Sequence, residues 1–140
     1  MTSQDVNAIK EFRRFTTTYI YPYTSYILID DMRREFNTNG IMFVPLPQQT
    51  IQFQIANNIV TNKSENMKNI HNDIKQIFCN YFNNQEIISI IRNKMYTCIK
   101  DEDIKKTLLY ALNAIQHCDP QYLGLLFNIT ILNDTIYIYL

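Results

Sequence analysis

The chain of 140 residues carries 13 basic and 13 acidic side chains, so its formal net charge is zero, and hydrophobic residues make up 46% of it. That length suits one domain, residues 1–140, with a core that needs no disulfide or metal. The charges also balance before and after residue 60, which leaves no basic or acidic tail to recruit nucleic acid or a membrane surface.

The first predicted element is a short amphipathic helix with Ser3 as N-cap. Val6, Ile9, Phe12 and Phe15 recur at spacing three, with Lys10, Glu11, Arg13 and Arg14 between them, and the β-branched run Thr16-Thr17-Thr18 closes it. A second helix is expected from Pro22 to Phe36, with Tyr23, Tyr26, Ile27 and Met32 on its apolar face and Asp30, Asp31, Arg33, Arg34 and Glu35 in solvent. Asn39-Gly40 supplies the stop.

From Asn37 to Asn62 the chain has no Asp, Glu, Lys or Arg. Ile41 to Val44 and Thr50 to Ala56 read as strands joined through Pro45-Leu46-Pro47-Gln48-Gln49, and Ile51-Gln52-Phe53-Gln54-Ile55 alternates with the strand period of two. A rival reading starts a helix within Gln54 to Val60. The strand face bearing Gln52 and Gln54 lacks the charges that discourage edge pairing, so it must be covered by the fold or by another chain.

Beyond Ser64 the period becomes helical. Met67, Ile70, Ile74, Ile77, Phe78 and Tyr81 form one stripe, ended by Asn83-Asn84; Ile87, Ile88, Ile91, Met95 and Cys98 form a second. Ile104, Leu108, Ala111, Leu112 and Ile115 form a third after Asp101-Glu102-Asp103, and short connections suggest three antiparallel neighbours. Asp119-Pro120 opens a brief helix through Leu126, and Phe127 to Leu132 with Thr135 to Leu140 reads as a second hairpin turning at Asn133-Asp134. Read as a membrane span, the same tail would place Asp134 in hydrocarbon at about 2.5 to 3.5 kcal/mol, so no span is expected. The fold class is therefore α+β, an antiparallel sheet from two β-hairpins packed against about five to six α-helices.

Candidate chemistry is sparse. Cys79, Cys98 and Cys118 with His71 or His117 could suggest zinc, but successive antiparallel helices put Cys98 at the opposite end from the other two, and buried free cysteines are the simpler reading. His117 adjoins Cys118, yet helix neighbours point about 100° apart, so a nucleophile pair is not supported. Asp73-Ile74-Lys75 and Asp103-Ile104-Lys105 echo an acid-x-Lys nuclease element but fall on helices. Two glycines cannot build a phosphate loop. No catalytic residue, metal or cofactor is expected, and an enzyme is not.

Surface residues offer more. Tyr19, Tyr21 and Tyr23 form the densest aromatic cluster and, with Gln52 and Gln54, are the interface candidates for a protein partner or self-association. Arg13, Arg14, Arg33 and Arg34 beside aromatics could bind single-stranded nucleic acid, but flanking acids weaken that field and make nucleic acid the secondary expectation. With 22 Ile, 16 Asn and 10 Tyr against 4 Ala and 2 Gly, the composition suggests an AT-biased genome such as that of a large DNA virus. The expectation is a non-enzymatic interaction or assembly protein, a viral structural or host-modulating factor, working reduced in the cytoplasm or nucleus of a host cell or on a virion, with no secretory leader.

Overall fold

The computed structural model describes residues 1–38, 42–45, 52–56, 63–132 and 135–140. In chain order these form α1 (Ser3–Tyr19), α2 (Tyr21–Thr38), β1 (Met42–Pro45), β2 (Gln52–Ala56), α3 (Lys63–Phe82), α4 (Gln85–Cys98), α5 (Glu102–Gln116), α6 (Pro120–Leu125), β3 (Asn128–Leu132) and β4 (Thr135–Tyr139). The class is α+β with helices dominating, a heavier helical share than two hairpins would suggest. The turns expected at Asn39-Gly40, 45–49 and Asn133-Asp134 fall wholly or mostly outside the described residues, as do Ile41, Thr50, Ile51, 57–60 and the Met67 side chain. What is seen of the expected hairpins is therefore their paired strands.

Capping decides where the helices begin. Thr2, not Ser3, is the N-cap of α1: its hydroxyl accepts the Asp5 N–H at 3.2 Å, and the Asp5 carboxylate accepts the Thr2 N–H at 2.9 Å. Three residues beyond Ser3 stands Val6, which cannot close such a box. At the other end the threonine run stays helical to Tyr19 instead of closing the helix, and Thr16 and Thr18 within it donate their hydroxyls back to the Arg13 and Arg14 carbonyls. Asn84, Asp101 and Asp119 cap α4, α5 and α6 in the same way, with Pro120 in the first turn of α6.

The buried stripes match the expected ones on α3, α4 and most of α5. Ile70, Ile74, Ile77, Phe78 and Tyr81 are buried, as are Ile87, Ile88, Ile91, Met95, Leu108, Ala111, Leu112 and Ile115. Cys98 is half-buried, and Ile104, in the first turn of α5, is exposed. The face expected for α2 holds at Met32, fully buried, and fails at its two tyrosines. Tyr23 and Tyr26 are 62% and 64% exposed, whereas Tyr21, Thr24, Ser25, Leu28, Met32 and Phe36 turn inward. The cause is a polar residue inside the stripe: Thr24 donates to the Ile20 carbonyl at 2.9 Å and bonds the Tyr81 hydroxyl at 2.5 Å. Counting only apolar side chains rotates the predicted face away from it.

Helix packing also departs from three sequential neighbours. The densest packing of α5 is with α1, and α3 borders α2, α5 and α6 as well as its expected neighbour α4. Rings fill the centre. Phe12 meets Phe82 edge-on at 5.5 Å, and Phe78 stacks on Phe127 at 4.5 Å, just before β3. This contact joins the helical layer to the sheet.

The strands pair antiparallel in the order β1-β2-β4-β3. Phe53, Ile138 and Ile129 share a row, as do Gln54, Tyr137 and Thr130 in the next. Ile138 is fully buried while Tyr137 and Tyr139 are half-buried, and in register Phe53 stands beside Ile138, Gln54 beside Tyr137 and Gln52 beside Tyr139.

Candidate functional site

None of the 13 basic and 13 acidic residues lies in one of the four described strands. The uncharged character seen around Gln52 and Gln54 thus extends over the sheet. Of the two expected ways of covering this strand, the fold supplies one, since β2 is paired on both sides, with β1 and with β4, and has no free edge. Gln52 and Gln54 stand at register positions beside Tyr139 and Tyr137, both half-buried.

The two edge strands differ. β1 is four residues long, ends at Pro45, which has no N–H to offer, and has α2 packed close against it. β3 is five residues, Asn-Ile-Thr-Ile-Leu, with neither proline nor charge, and among the described residues its strand partner is β4 alone. Asn128 at its start is exposed.

A second surface lies on α2. Tyr23 and Tyr26 stand in solvent, with the Lys94 ammonium of α4 at 4.8 Å from the Tyr23 ring centroid, close enough for cation–π attraction. Beside them an open groove of about 650 Å³ is lined by Tyr26, Ile29, Asp30, Arg33, Asn84 and Glu86 among others. The other two tyrosine candidates are not equivalent to Tyr23. Tyr21 is 1% exposed and belongs to the core, where burial pushes its phenol above the ordinary tyrosine range, while half-buried Tyr19 packs on Phe15 at 5.5 Å.

The arginines meet acids on their own helices. Arg14 lies 2.9 Å from Glu11, Arg33 3.6 Å from Asp30, and Arg34 2.7 Å from Asp31. Arg13 is half-buried, on the side where its charge reaches Tyr21. Each i,i+3 pair satisfies an arginine within one turn and reduces the field a phosphate backbone would meet.

Two polar ties were not foreseen. The Asp5 carboxylate, 8% exposed, accepts the Tyr110 hydroxyl of α5 at 2.5 Å and the Tyr122 hydroxyl of α6 at 2.8 Å, besides its Thr2 bonds. The Tyr110 bond, then those from Thr2 and Tyr122, hold this carboxyl well below the usual range, and the bond to Asp5 raises Tyr122 above the ordinary tyrosine value. The Thr2-x-x-Asp5 spacing was the visible signal for half of it. The tie of Thr24 to Tyr81 is the other: Thr24 gives its only proton to Ile20, so Tyr81 donates, and burial pushes its phenol up to about 12. Both clusters join helices, and among the described residues no buried side-chain nitrogen or oxygen lacks a hydrogen-bond partner.

The thiols correct one expectation. Cys79 and Cys118 are joined by a disulfide, Cα atoms 5.4 Å apart, and Cys98 alone is free. The inferred placement of Cys79 and Cys118 at one end holds, but their free state does not. Cys118 adopts φ 60° directly after α5, where a left-handed residue turns the chain, and Asn83 of the α3–α4 turn donates to the Cys79 and Gln116 carbonyls beside it. A bonded sulfur is no nucleophile. His117 is exposed, and His71 lies 5.9 Å from the Phe127 ring, where desolvation and then Lys75 lower its pKa. Asp73 and Asp103 sit on α3 and α5, and among the described residues no three His, Cys, Asp or Glu side chains gather where they could hold a metal ion. Among the described residues no helix is long and apolar enough to cross a membrane. Comparison with known proteins returned no matching family model, curated protein or solved structure.

Proposed function

We propose that this is a non-enzymatic protein-interaction or assembly protein whose working surface is the sheet. The observation that carries the reading is the four-stranded sheet without one acidic or basic residue, in a chain that places its charges almost entirely on helices. Single-sign or alternating charge is the usual guard against sheet-to-sheet association, and its omission on both edges and both faces favours contact with protein over solvent. The AT-biased composition supports a viral structural or host-modulating role.

Charge on the outer face tests this. Gln54→Lys, at a register position beside Tyr137, leaves the helical core untouched and is expected to raise solubility and lower any association measured by sedimentation. Unchanged solubility and mass at every concentration would remove the support for the reading. The setting we propose is intracellular, cytoplasm, nucleus or virion, which requires that Cys79 and Cys118 be a dithiol there, since glutathione keeps cytosolic thiols reduced. Thiol counting on protein taken rapidly from its native context gives three free thiols under that setting and one under an oxidising one.

A further inference from the structure

We infer that β3 is a self-association edge: two copies join β3 to β3 antiparallel about a two-fold axis, making one continuous eight-stranded sheet. The inference rests on the interaction reading above and names its partner and its site. A strand edge has unpaired backbone N–H and C=O groups that need a hydrogen-bonding partner, and β3 offers five residues with neither the proline nor the helix that attends the β1 edge.

A second copy fits this edge for three reasons. Pairing identical strands antiparallel is isologous, so it closes at two copies and does not propagate through β3. Centred on Thr130, the register sets Thr130 opposite Thr130, Ile129 opposite Ile131 and Asn128 opposite Leu132 of the second copy. No like charges face each other, and threonine pairs and β-branched apolar pairs are favourable across antiparallel strands. Half-buried Ile129 stands in register beside fully buried Ile138, so the core row reaches the strand that the second copy joins. Finally, a formal net charge of zero removes long-range repulsion between copies.

The experiment is sedimentation of the full chain over a wide concentration range, with Thr130→Lys, Gln54→Lys and a cross-linking variant alongside. The wild type is expected to move from one mass of 16.7 kDa to twice that. Thr130→Lys sets two ammonium groups against each other at the axis and should weaken the dimer about tenfold or more, while circular dichroism stays that of the wild type, since lysine suits a solvent-facing edge. In a Cys98→Ser background, Thr130→Cys should form a covalent dimer with oxidised glutathione. The two thiols lose their protons and two electrons to make one S–S bond, and the glutathione disulfide is reduced to two thiols. Directly opposed Cα atoms about 4.5 to 5.5 Å apart are within disulfide reach. Gln54→Cys, on interior β2, should not cross-link through this edge.

A dimer that survives Thr130→Lys undiminished, or Thr130→Cys that stays monomeric, overturns the edge pairing. If Gln54→Lys alone alters association, the sheet-face reading stands and only the edge pairing fails. A strictly monomeric wild type whose solubility neither lysine changes overturns both.

Discussion

The helices and the sheet handle charge in opposite ways. On the helices Arg34 meets Asp31 at 2.7 Å and Lys105 meets Glu102 at 3.2 Å, each one turn apart at the surface, while the described strands hold no acid or base at all. The helical layer is made to face water. Its inner stripes, side-chain caps and two hydroxyl ties, one buried and one part-buried, specify how helices meet one another, so it accounts for stability. The sheet, docked through Phe127 on Phe78 and through Ile138, adds little that is polar and charged to defend its outer side and its β3 edge. If the proposed reading holds, stability and association reside in different layers, and substitutions can separate them.

The largest effect is expected at the joint. Phe78→Ala empties a fully buried site stacked on Phe127 and flanked by Phe82, and should cost about 3 to 5 kcal/mol in denaturant unfolding. If it cost under about 1 kcal/mol, the sheet would not be anchored there. Next comes the Cys79–Cys118 bond, which closes a separation of 39 residues between the end of α3 and the turn after α5. Its reduction, or Cys118→Ser, should lower stability by about 2 to 4 kcal/mol with no change in association.

Thr24→Val keeps shape but strands the Tyr81 hydroxyl in the core, at about 1 to 3 kcal/mol by the same measurement. A pH series sharpens the role of Asp5. Its folded pKa lies below the ordinary carboxylate value, so the stability it confers is complete above about pH 5 and is lost as pH falls through about 4 and below. Asp5→Asn should flatten that acid limb, and an unchanged limb would assign acid sensitivity to other carboxylates. The smallest effect belongs to the exposed ion pairs: Arg34→Ala should change stability by about 0 to 1 kcal/mol. A large loss there would contradict the division between the layers.

Where one side-chain property repeated at one period, the sequence was readable. Ile70, Ile74, Ile77 and Phe78 announce α3, and the uncharged alternation at Gln52 to Ile55 announces β2. Misreadings arose where a buried position was polar. Thr24 hid the true inner face of α2, turning Tyr23 and Tyr26 inward on paper, and the tie at Asp5 went unseen because Tyr110 and Tyr122 come from 105 and 117 residues away. Long-range partners leave no local periodic trace. Strand order was equally silent: lack of charge marked the strands, but only their pairing placed β2 and β4 inside the sheet and left β1 and β3 as its outer strands.

Amide hydrogen exchange at low and high protein concentration tests the central claim most directly, because it reads each layer in one sample. The account predicts that protection of β3 amides rises with concentration, while amides of α2 around Tyr23 and Tyr26 exchange alike at both. Protection that rises on α2 and α4 with β3 unchanged would place association on the helical layer and contradict it.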